Sequence, residues 1–531
     1  MDDVNLNVIG RKYPSFDSSE KIGSSPKNSA IELYGRRLYK DQTSIEYLAE
    51  FLLVFTSHKG SRDETENSNS TFTFTLPSDQ FPLYWPRDHV TLKLFTFFPT
   101  SKLDTRHPLH QRVYKKSLEA IKGNIIGDEN EKEETVKLLQ SLFSGFVGVA
   151  QNRTWVTQNF LPASASLISR EVMWEHTKAL QSELSTWEDS KSFFANDRHN
   201  FMARGGELLF LQLSNLFNST DDVIRPLLKR DNSSYKHLEK VDLKVLQTEI
   251  EGSLSNILNS SFKQVNNLVQ FIENSLSDYK LENKKATLGW VPSATVTESL
   301  LFAVEMKNIL NSALSDLEKV ELLQLLCSIH VLRTICFQSH RLLVTNKKLD
   351  GFIGNFVWIV SDRNATPKNS VRKLATTSLN SIQNILYRAL RVIDEKTPGN
   401  DGFSQSDPHG FAIFKKIAKE IDMVIPKKGS GERFVITPLI LRLLVSSVLE
   451  AGERVTLNNF YVRVFAHFGI ALGPKQLAHS IKWIGEGEAI EDFSIAADTS
   501  WIEEQLKQGG YLEELSDAVS IVVNPSNKAE Y

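Results

Sequence analysis

Cysteine and long apolar runs are both scarce in this 531-residue sequence. Its only cysteines are Cys327 and Cys336, so no disulfide framework can form. A chain of this length buries large cores without disulfides, and low cysteine content is usual in a reducing compartment. No run reaches 18 apolar residues, and residues 1–30 lack the apolar segment of a secretory signal. We therefore expect a cytoplasmic protein that does not enter a membrane.

The sequence also lacks an excess of either charge. It has 61 Lys and Arg against 64 Asp and Glu, which gives a net charge of −3. Proteins that coat nucleic acid are usually strongly basic, so any contact with DNA must come from a local patch. The remaining composition, 41% hydrophobic and 24% charged, is that of an ordinary globular protein.

Complete catalytic motifs are missing as well. The sequence has no nucleophile elbow, no HExxH and no kinase motif set. The glycines of residues 427–431 lack the Walker spacing and do not lead into a helix, which excludes a nucleotide loop. These absences favour a protein that is not an enzyme and needs no cofactor.

A set of metal-ligand residue types lies between positions 327 and 340. Cys327, His330, Cys336 and His340 fall within one predicted helix. At 100° per residue the first two lie nearly opposite the last two, and the ends are about 20 Å apart. One zinc ion cannot reach all four, so buried thiols and hydrogen-bonded histidines are expected instead.

The pattern of apolar residues predicts a mainly α (α+β) protein. Residues 43–55 have helical spacing, with Thr43 or Ser44 as the N-cap, while 71–76 and 89–95 alternate like strands. The predicted regions are a disordered leader (1–30), an N-terminal α/β region with a small β element (31–127), a large helical body (128–394), a linker (395–408) and a C-terminal module (409–531). Helices are expected in the body at 130–147, 163–184, 206–217, 239–279, 294–314, 316–343 and 368–394.

The C-terminal module has the element order of a winged helix. Helices are predicted at 409–421, 437–450, 456–468 and 499–508, and residues 511–523 follow as a β-hairpin. Lys427, Lys428 and Arg433 belong to a mildly basic entry segment, which could contact phosphates. Residues 485–531 contain eleven Asp or Glu and two Lys, which would repel a duplex. Docking of a protein and contact with DNA both remain open.

The most unusual local sequence is a polar loop that runs into two glycines and a helix. Backbone N–H groups at a helix start beside two guanidinium groups could bind an anion or DNA phosphates. Alternatively, the glycines permit close packing and the arginines pair with carboxylates. The candidate residues are Arg198, His199, Asn200, Arg204, Gly205 and Gly206.

A second candidate segment, residues 153–162, is rich in amides and aromatic residues. Trp155, Gln158 and Asn159 could line a pocket. They could equally belong to a buried loop whose amides satisfy backbone groups.

Three segments together resemble a known group of bacterial proteins. These are residues 35–55, the run RHNFMARGGEL at 198–208, and Phe468-Gly469-Ile470. They resemble accessory components of bacterial anti-phage defence clusters, closest to the methylation-associated defence system and next to phosphorothioation-linked restriction. The resemblance implies a role beside methyltransferase and ATPase partners in recognising or restricting foreign DNA. It supplies no catalytic residues.

These observations favour a non-enzymatic subunit of a defence complex of the restriction-modification kind. It would act as a scaffold and dock a protein partner or double-stranded DNA. One rival hypothesis is a nuclease whose acidic residues converge only in the fold. The other is a structural adaptor without DNA contact. Three or more carboxylates meeting a lysine in one cleft would favour the nuclease.

Overall fold

The structure of the protein is a computed structural model. The structure describes residues 5, 7–15, 29–35, 38, 42–60, 72–77, 82–96, 106–149, 154–195, 205–220, 234–343, 348–396, 407–484, 500–516 and 519–526.

Helices make up most of the described residues, which agrees with the predicted mainly α (α+β) class. In chain order they are α1 (Asn7–Gly10), α2 (Ser29–Tyr34), α3 (Ser44–Thr56), α4 (Val90–Phe95), α5 (Pro108–Gly123), α6 (Glu129–Gly145), α7 (His176–Leu180), α8 (Trp187–Lys191), α9 (Gly205–Phe217), α10 (Leu243–Asn256), α11 (Lys263–Ser275), α12 (Val296–Leu310), α13 (Asp316–Leu342), α14 (Ser370–Lys396), α15 (Phe411–Glu420), α16 (Pro438–Val448), α17 (Leu457–Phe468), α18 (Pro474–Ile484) and α19 (Ser500–Gln508).

The described strands are short and form sheets of two or three strands. They are β1 (Lys12–Tyr13), β2 (His58–Gly60), β3 (Leu83–Trp85), β4 (Val147–Val149), β5 (Asn159–Phe160), β6 (Met173–Trp174), β7 (Phe194–Ala195), β8 (Ala286–Thr287), β9 (Val291–Pro292), β10 (Trp358–Ile359), β11 (Val424–Ile425), β12 (Arg433–Phe434), β13 (Arg454–Thr456), β14 (Ile470–Ala471), β15 (Leu512–Ser516) and β16 (Val519–Val523).

The chain divides into two compact units, each built from separate stretches of sequence. Unit 1 comprises residues 1–40, 211–253 and 289–531, and unit 2 comprises 41–210 and 254–288. The predicted division into 31–127, 128–394 and 409–531 does not coincide with these units, because residues 289–394 and 409–531 belong to the same one.

Unit 1 is organised around α13. Ser315 caps this helix by accepting a hydrogen bond from the Glu318 backbone N–H, and the Glu318 carboxylate accepts one from the Ser315 N–H. Helices α12, α14 and α15 pack against α13, and α16 packs against α12. Within the part of the chain that the structure describes, α13 alone is long and apolar enough to cross a membrane, but 89% of its most apolar stretch is buried. A buried helix of this kind is usual in the core of a soluble protein.

The C-terminal part of unit 1 has a defined strand order. Strand β16 lies between β13 and β15 and is antiparallel to both, so the order is β13-β16-β15. Strand β14 pairs in parallel with β10, and β11 pairs with β12. The predicted hairpin over 511–523 is therefore confirmed in its pairing. Gly469 ends α17 in the left-handed conformation (φ 68°), as expected for a helix that stops at glycine.

Unit 2 contains helix α3, one three-stranded sheet and two aromatic-rich cores. Helix α3 confirms the prediction for 43–55, and Thr43 forms a capping box with Glu46. The antiparallel sheet has the order β2-β3-β8. Helices α4, α5, α6 and α11 bury one core, which includes Phe95, Phe143 and Val269.

Two strand predictions were wrong. Residues 90–95 form a helix whose side chains are buried all round, so the apolar alternation there marks no particular face. Lys93 is enclosed too and donates a hydrogen bond to the Arg170 carbonyl oxygen. Of the predicted strand 71–76, residues 72–76 are described and pair with no described strand, although Phe74 is fully buried against Phe51 and Phe55.

Two further expectations failed in part. Residues 163–184 do not form one helix: they contain a 3₁₀ turn, strand β6 and the short α7, because β6 pairs with β7. The expected disorder over 1–30 does not hold for residues 7–15. There, Val8 is buried and β1 pairs with β9.

Candidate functional site

The predicted anion loop is described only at its glycines. Arg198, His199, Asn200 and Arg204 lie outside the described residues. Gly205 and Gly206 begin α9 in close contact with α3. A Cβ added to Gly206 would lie 2.3 Å from the Tyr47 carbonyl oxygen. The glycines therefore serve the close packing that was the alternative to the anion site.

A carboxylate of the protein itself lies at this helix start. The Gly206 N–H donates to Glu50 Oε2 at 3.1 Å, and Gln42 Nε2 donates to the same oxygen at 2.6 Å. Burial raises the pKa of Glu50 well above its usual value, and the nearby Glu46 and Glu207 add to this, while both hydrogen bonds oppose it. An external anion would compete with Glu50 for the Gly206 N–H group.

The basic entry segment of the C-terminal module is largely neutralised by its own acidic residues. Glu432 pairs with Lys415 at 2.5 Å and with Lys419 at 2.6 Å, and Asp422 pairs with Lys427 at 3.1 Å. Arg433 is buried and donates to the Arg363 carbonyl oxygen at 2.9 Å. Lys428 is exposed in the turn between β11 and β12. Of the three predicted residues, Lys427 and Lys428 thus remain at the surface.

The three pocket candidates are buried in unit 2. Trp155 packs in an aromatic cluster with His110 and Phe194. Gln158 Nε2 donates to Thr96 Oγ1 at 2.8 Å, and Asn159 Nδ2 donates to Glu171 Oε1 at 3.0 Å. The three residues are buried, as in the buried-loop alternative, but the two amides donate to side-chain oxygens.

The histidines and cysteines of α13 are enclosed in unit 1. Cys327 and Cys336 are buried free thiols. Both ring nitrogens of His330 are engaged: Nε2 lies 2.9 Å from Gln212 Oε1, and Nδ1 accepts from Arg333. Its ring stacks on Phe302 at 4.1 Å between centroids. The expectation of buried thiols and a hydrogen-bonded histidine is confirmed here.

His330 belongs to a larger buried polar network that the sequence did not reveal. Arg333 forms a bidentate salt bridge with Glu305, with both side chains fully buried. His467 Nδ1 lies 2.8 Å from Glu305 Oε1, and its Nε2 lies 2.8 Å from Nε2 of His237. Burial, reinforced by His467 and Arg463, lowers the pKa of His237 to about 2.

Unit 2 contains a polar cavity of about 670 Å³. Its wall is built from the segment 87–91 at the start of α4, the 3₁₀ turn at 165–167, helix α11 and the segment 280–283. Small-molecule sites commonly have this volume. Trp155, Gln158 and Asn159 are not among the lining residues.

His89 and Glu273 form an interacting pair in the cavity wall. His89 Nδ1 contacts Glu273 Oε1, and the histidine side chain is only 3% exposed. Burial acts to raise the pKa of Glu273, but the attraction and hydrogen bond of His89, together with Lys280 and Arg87, lower it overall. Glu273 is thus an acceptor, and Nδ1 is the donor. No described residue hydrogen-bonds the buried Nε2.

The backbone at His89 is strained, and Asp88 holds it in place. His89 is left-handed at φ 48° and ψ 37°, a conformation that costs free energy for a residue other than glycine. Asp88 Oδ1 accepts a hydrogen bond from the Val90 N–H at 3.1 Å. Burial raises the pKa of Asp88, while the Val90 N–H, Lys93 and His89 counteract part of this effect. Strained residues of this kind are common at binding sites.

Sequence reasoning missed this cavity because its parts are far apart in the chain. Residues His89 and Glu273 are 184 positions apart, and neither belongs to a recognisable motif. The one local sign was the pair Asp88-His89 immediately before a buried segment, which looked like the start of a strand.

Comparison with known proteins adds no assignment. No protein-family model matches the chain, and neither a curated protein nor a solved structure resembles it significantly.

Proposed function

We propose that the chain is a non-enzymatic subunit of a bacterial anti-phage defence complex that docks a protein partner through a winged-helix-like C-terminal module. The carrying observation is the order α16, β13, α17, then α18 and α19, then the hairpin β15–β16, with sheet order β13-β16-β15. A winged helix has a helix, a strand, two further helices and a C-terminal hairpin in a similar order, whereas here strand β14 and one additional helix also lie between α17 and the hairpin. Helices α12 to α14 would form the scaffold that carries it.

The charges of the module favour a protein partner over DNA. Helix α19 precedes the hairpin and would be the one to enter a groove. It buries Ile502 and Leu506 and carries Glu503 and Glu504. Residues 500–516 contain four glutamates and one lysine; Glu513 and Glu514 pair with Arg454 and Lys507, so the acidity of this face comes from Glu503 and Glu504. Because DNA binding depends on cations that neutralise phosphates, this face is suited to a basic protein surface.

The entry segment supports the same choice. Three of its lysines already form salt bridges with Glu432 and Asp422. A DNA phosphate would have to displace these carboxylates. Contact with double-stranded DNA stays as the second candidate, with exposed Lys428 and the predicted Arg198 and Arg204 as its phosphate ligands. Methyltransferase or ATPase partners belong to the proposal through the resemblance, and a cytoplasmic location belongs to it through the composition of the sequence.

A charge-reversal experiment tests the docking face. The double variant Glu503→Lys/Glu504→Lys places two cations on α19, and Glu133→Lys/Glu134→Lys on α6 is a control with two adjacent helical glutamates in unit 2. The wild type and the control should co-purify with a methyltransferase or ATPase component encoded beside this chain, and the α19 variant should not. A wild type that elutes alone and ignores DNA at low salt would contradict the proposal.

DNA binding is measured in parallel at two salt concentrations. Docking of a protein predicts no gain in DNA affinity for the wild type when salt is lowered, because few phosphate contacts are available. An affinity that falls steeply with salt, and falls further in Arg198→Ala/Arg204→Ala, would favour the DNA candidate instead.

The nuclease alternative has a separate test. In the described part of the chain, no three His, Cys, Asp or Glu residues are arranged to hold a metal ion. The polar cavity contains two carboxylates, Asp88 and Glu273, rather than the three that would favour this hypothesis. Cleavage of plasmid DNA in Mg²⁺ by the purified chain would establish the alternative and replace the docking proposal.

A further inference from the structure

The cavity of unit 2 is too polar for an apolar ligand. Amide side chains contribute to several parts of its wall, including Asn266, Gln270 and Asn274 on α11 and Asn283 beyond it. The amides of Gln270 and Asn274 offer both donors and an acceptor, the combination that recognises hydroxyl groups. Ser166 and Thr91 add hydroxyl groups of their own. A lining of this composition is suited to a sugar.

Two cations at the cavity are available to a ligand. Arg87 and Lys280 line it, are exposed, and form no salt bridge with any residue the structure describes. Both lie close enough to Glu273 to lower the pKa of its carboxyl. Glu273 itself is already engaged by His89.

The wall that carries these groups is held in one conformation. The Val90 N–H bond to Asp88 and the contact of His89 with Glu273 fix the start of α4 against α11. Asn266 is held by a hydrogen bond from Ser164 Oγ. A fixed wall loses little conformational entropy when a ligand binds.

We propose that this cavity binds a small phosphorylated sugar, free or as part of a nucleotide. The amides hydrogen-bond the sugar hydroxyls, and Arg87 and Lys280 bind the phosphate. A phosphate monoester carries a charge of about −1.5 to −2 at pH 7, which the two cations match better than they match a single carboxylate. This site shares no residue with the docking face on α19. A negative result for one proposal therefore does not contradict the other.

Isothermal titration calorimetry of the full chain tests the proposal with four probes: ribose 5-phosphate, AMP, ribose and inorganic phosphate. Saturable binding is expected for ribose 5-phosphate or AMP, at least tenfold tighter than for ribose or phosphate alone. Tighter binding of AMP would identify a nucleotide, and tighter binding of ribose 5-phosphate a free sugar phosphate. Absence of saturable binding, or equal affinity for inorganic phosphate, would overturn the proposal.

Two double variants assign the binding to the cavity. Arg87→Ala/Lys280→Ala should weaken binding of the preferred probe at least tenfold, because both charge-assisted contacts are lost. Arg112→Ala/Lys116→Ala removes two exposed cations from α5 outside the cavity lining and should bind like the wild type. Both variants change surface residues, and far-UV circular dichroism checks that they fold. Unchanged affinity in the Arg87/Lys280 variant would overturn the site.

Discussion

The substitution His110→Phe should make unit 2 less sensitive to acid. His110 is fully buried, and neither ring nitrogen has a hydrogen-bond partner among the described residues. Its ring lies among aromatic side chains, with centroid distances of 4.3 Å to Trp174 and 5.1 Å to Trp155. Burial lowers the pKa of His110 to about 3, and the neighbouring His107 and Arg106 add to this effect.

The sign follows from the two states. An unfolded histidine has a pKa of about 6.5, so as the pH falls below that value the unfolded chain takes up a proton that folded His110 does not. Folded stability from this site is therefore lost between pH 6.5 and about pH 3. At about 1.36 kcal/mol per pH unit, the loss amounts to about 2 kcal/mol by pH 5. Phenylalanine does not titrate, so the variant does not lose this stability at low pH.

At neutral pH two effects oppose each other. Removing unpaired buried nitrogens should stabilise the fold by about 1–3 kcal/mol. The larger phenyl ring must fit into a close-packed cluster, which costs about 1–3 kcal/mol. The packing cost does not depend on pH. Any change with pH in the stability difference between the variant and the wild type therefore comes from the titration of His110.

Urea unfolding followed by tryptophan fluorescence measures this difference, since Trp155, Trp174 and Trp187 surround the site. The free energy of unfolding of His110→Phe minus that of the wild type should rise by about 2 kcal/mol from pH 7 to pH 5. His479→Gln, at an exposed histidine on α18 of unit 1, controls for the loss of one histidine. A difference that is the same at both pH values would refute the reasoning.

Further substitutions test other parts of the structure. Gly206→Ala should lower the free energy of unfolding by at least about 3 kcal/mol in urea titrations, because its Cβ would lie 2.3 Å from a backbone oxygen. Gly252→Ala, in a helix with nothing within 4 Å of the new Cβ, should instead stabilise by about 0.5–1 kcal/mol; equal effects would contradict the packing argument. Glu305→Gln should destabilise by about 3–5 kcal/mol in thermal unfolding, since it leaves a buried arginine without its counter-charge. Cys327 and Cys336 should react with a thiol reagent only after denaturant is added, because burial raises the pKa of both thiols; labelling of the native protein would show that α13 opens.

Helix prediction succeeded where local signals and periodicity agreed. Ser315 and Thr437 each precede a helix at the predicted place, because a side-chain oxygen before an apolar repeat satisfies a free N–H group. Gly469 likewise ends α17 where predicted. These interactions involve residues a few positions apart, which a sequence displays directly.

Prediction failed where distant residues decide the conformation. Residues 90–95 alternate like a strand, yet they are buried on all sides and form a helix. The cavity depends on contacts between residues 87–91 and α11, and the Arg333–Glu305–His467 network joins three helices. No local sequence pattern encodes such contacts between distant residues. The anion-loop hypothesis missed Glu50 for the same reason, because this carboxylate reaches Gly206 from 156 residues earlier.

The discontinuous unit 1 has a consequence for the nascent chain. Arg333 and Glu305 leave the ribosome long before His467, whose carbonyl oxygen accepts from Arg333 across 134 residues. At a translation rate of about 5–20 residues per second, His467 is synthesised roughly 7–27 s after Arg333. Over that interval the apolar surface of α12 and α13 lacks the cover that α16 later provides. Slow or stalled translation between codons 340 and 470 should therefore expose the core of unit 1 to aggregation, and a chaperone that shields apolar helices should raise the yield of folded protein.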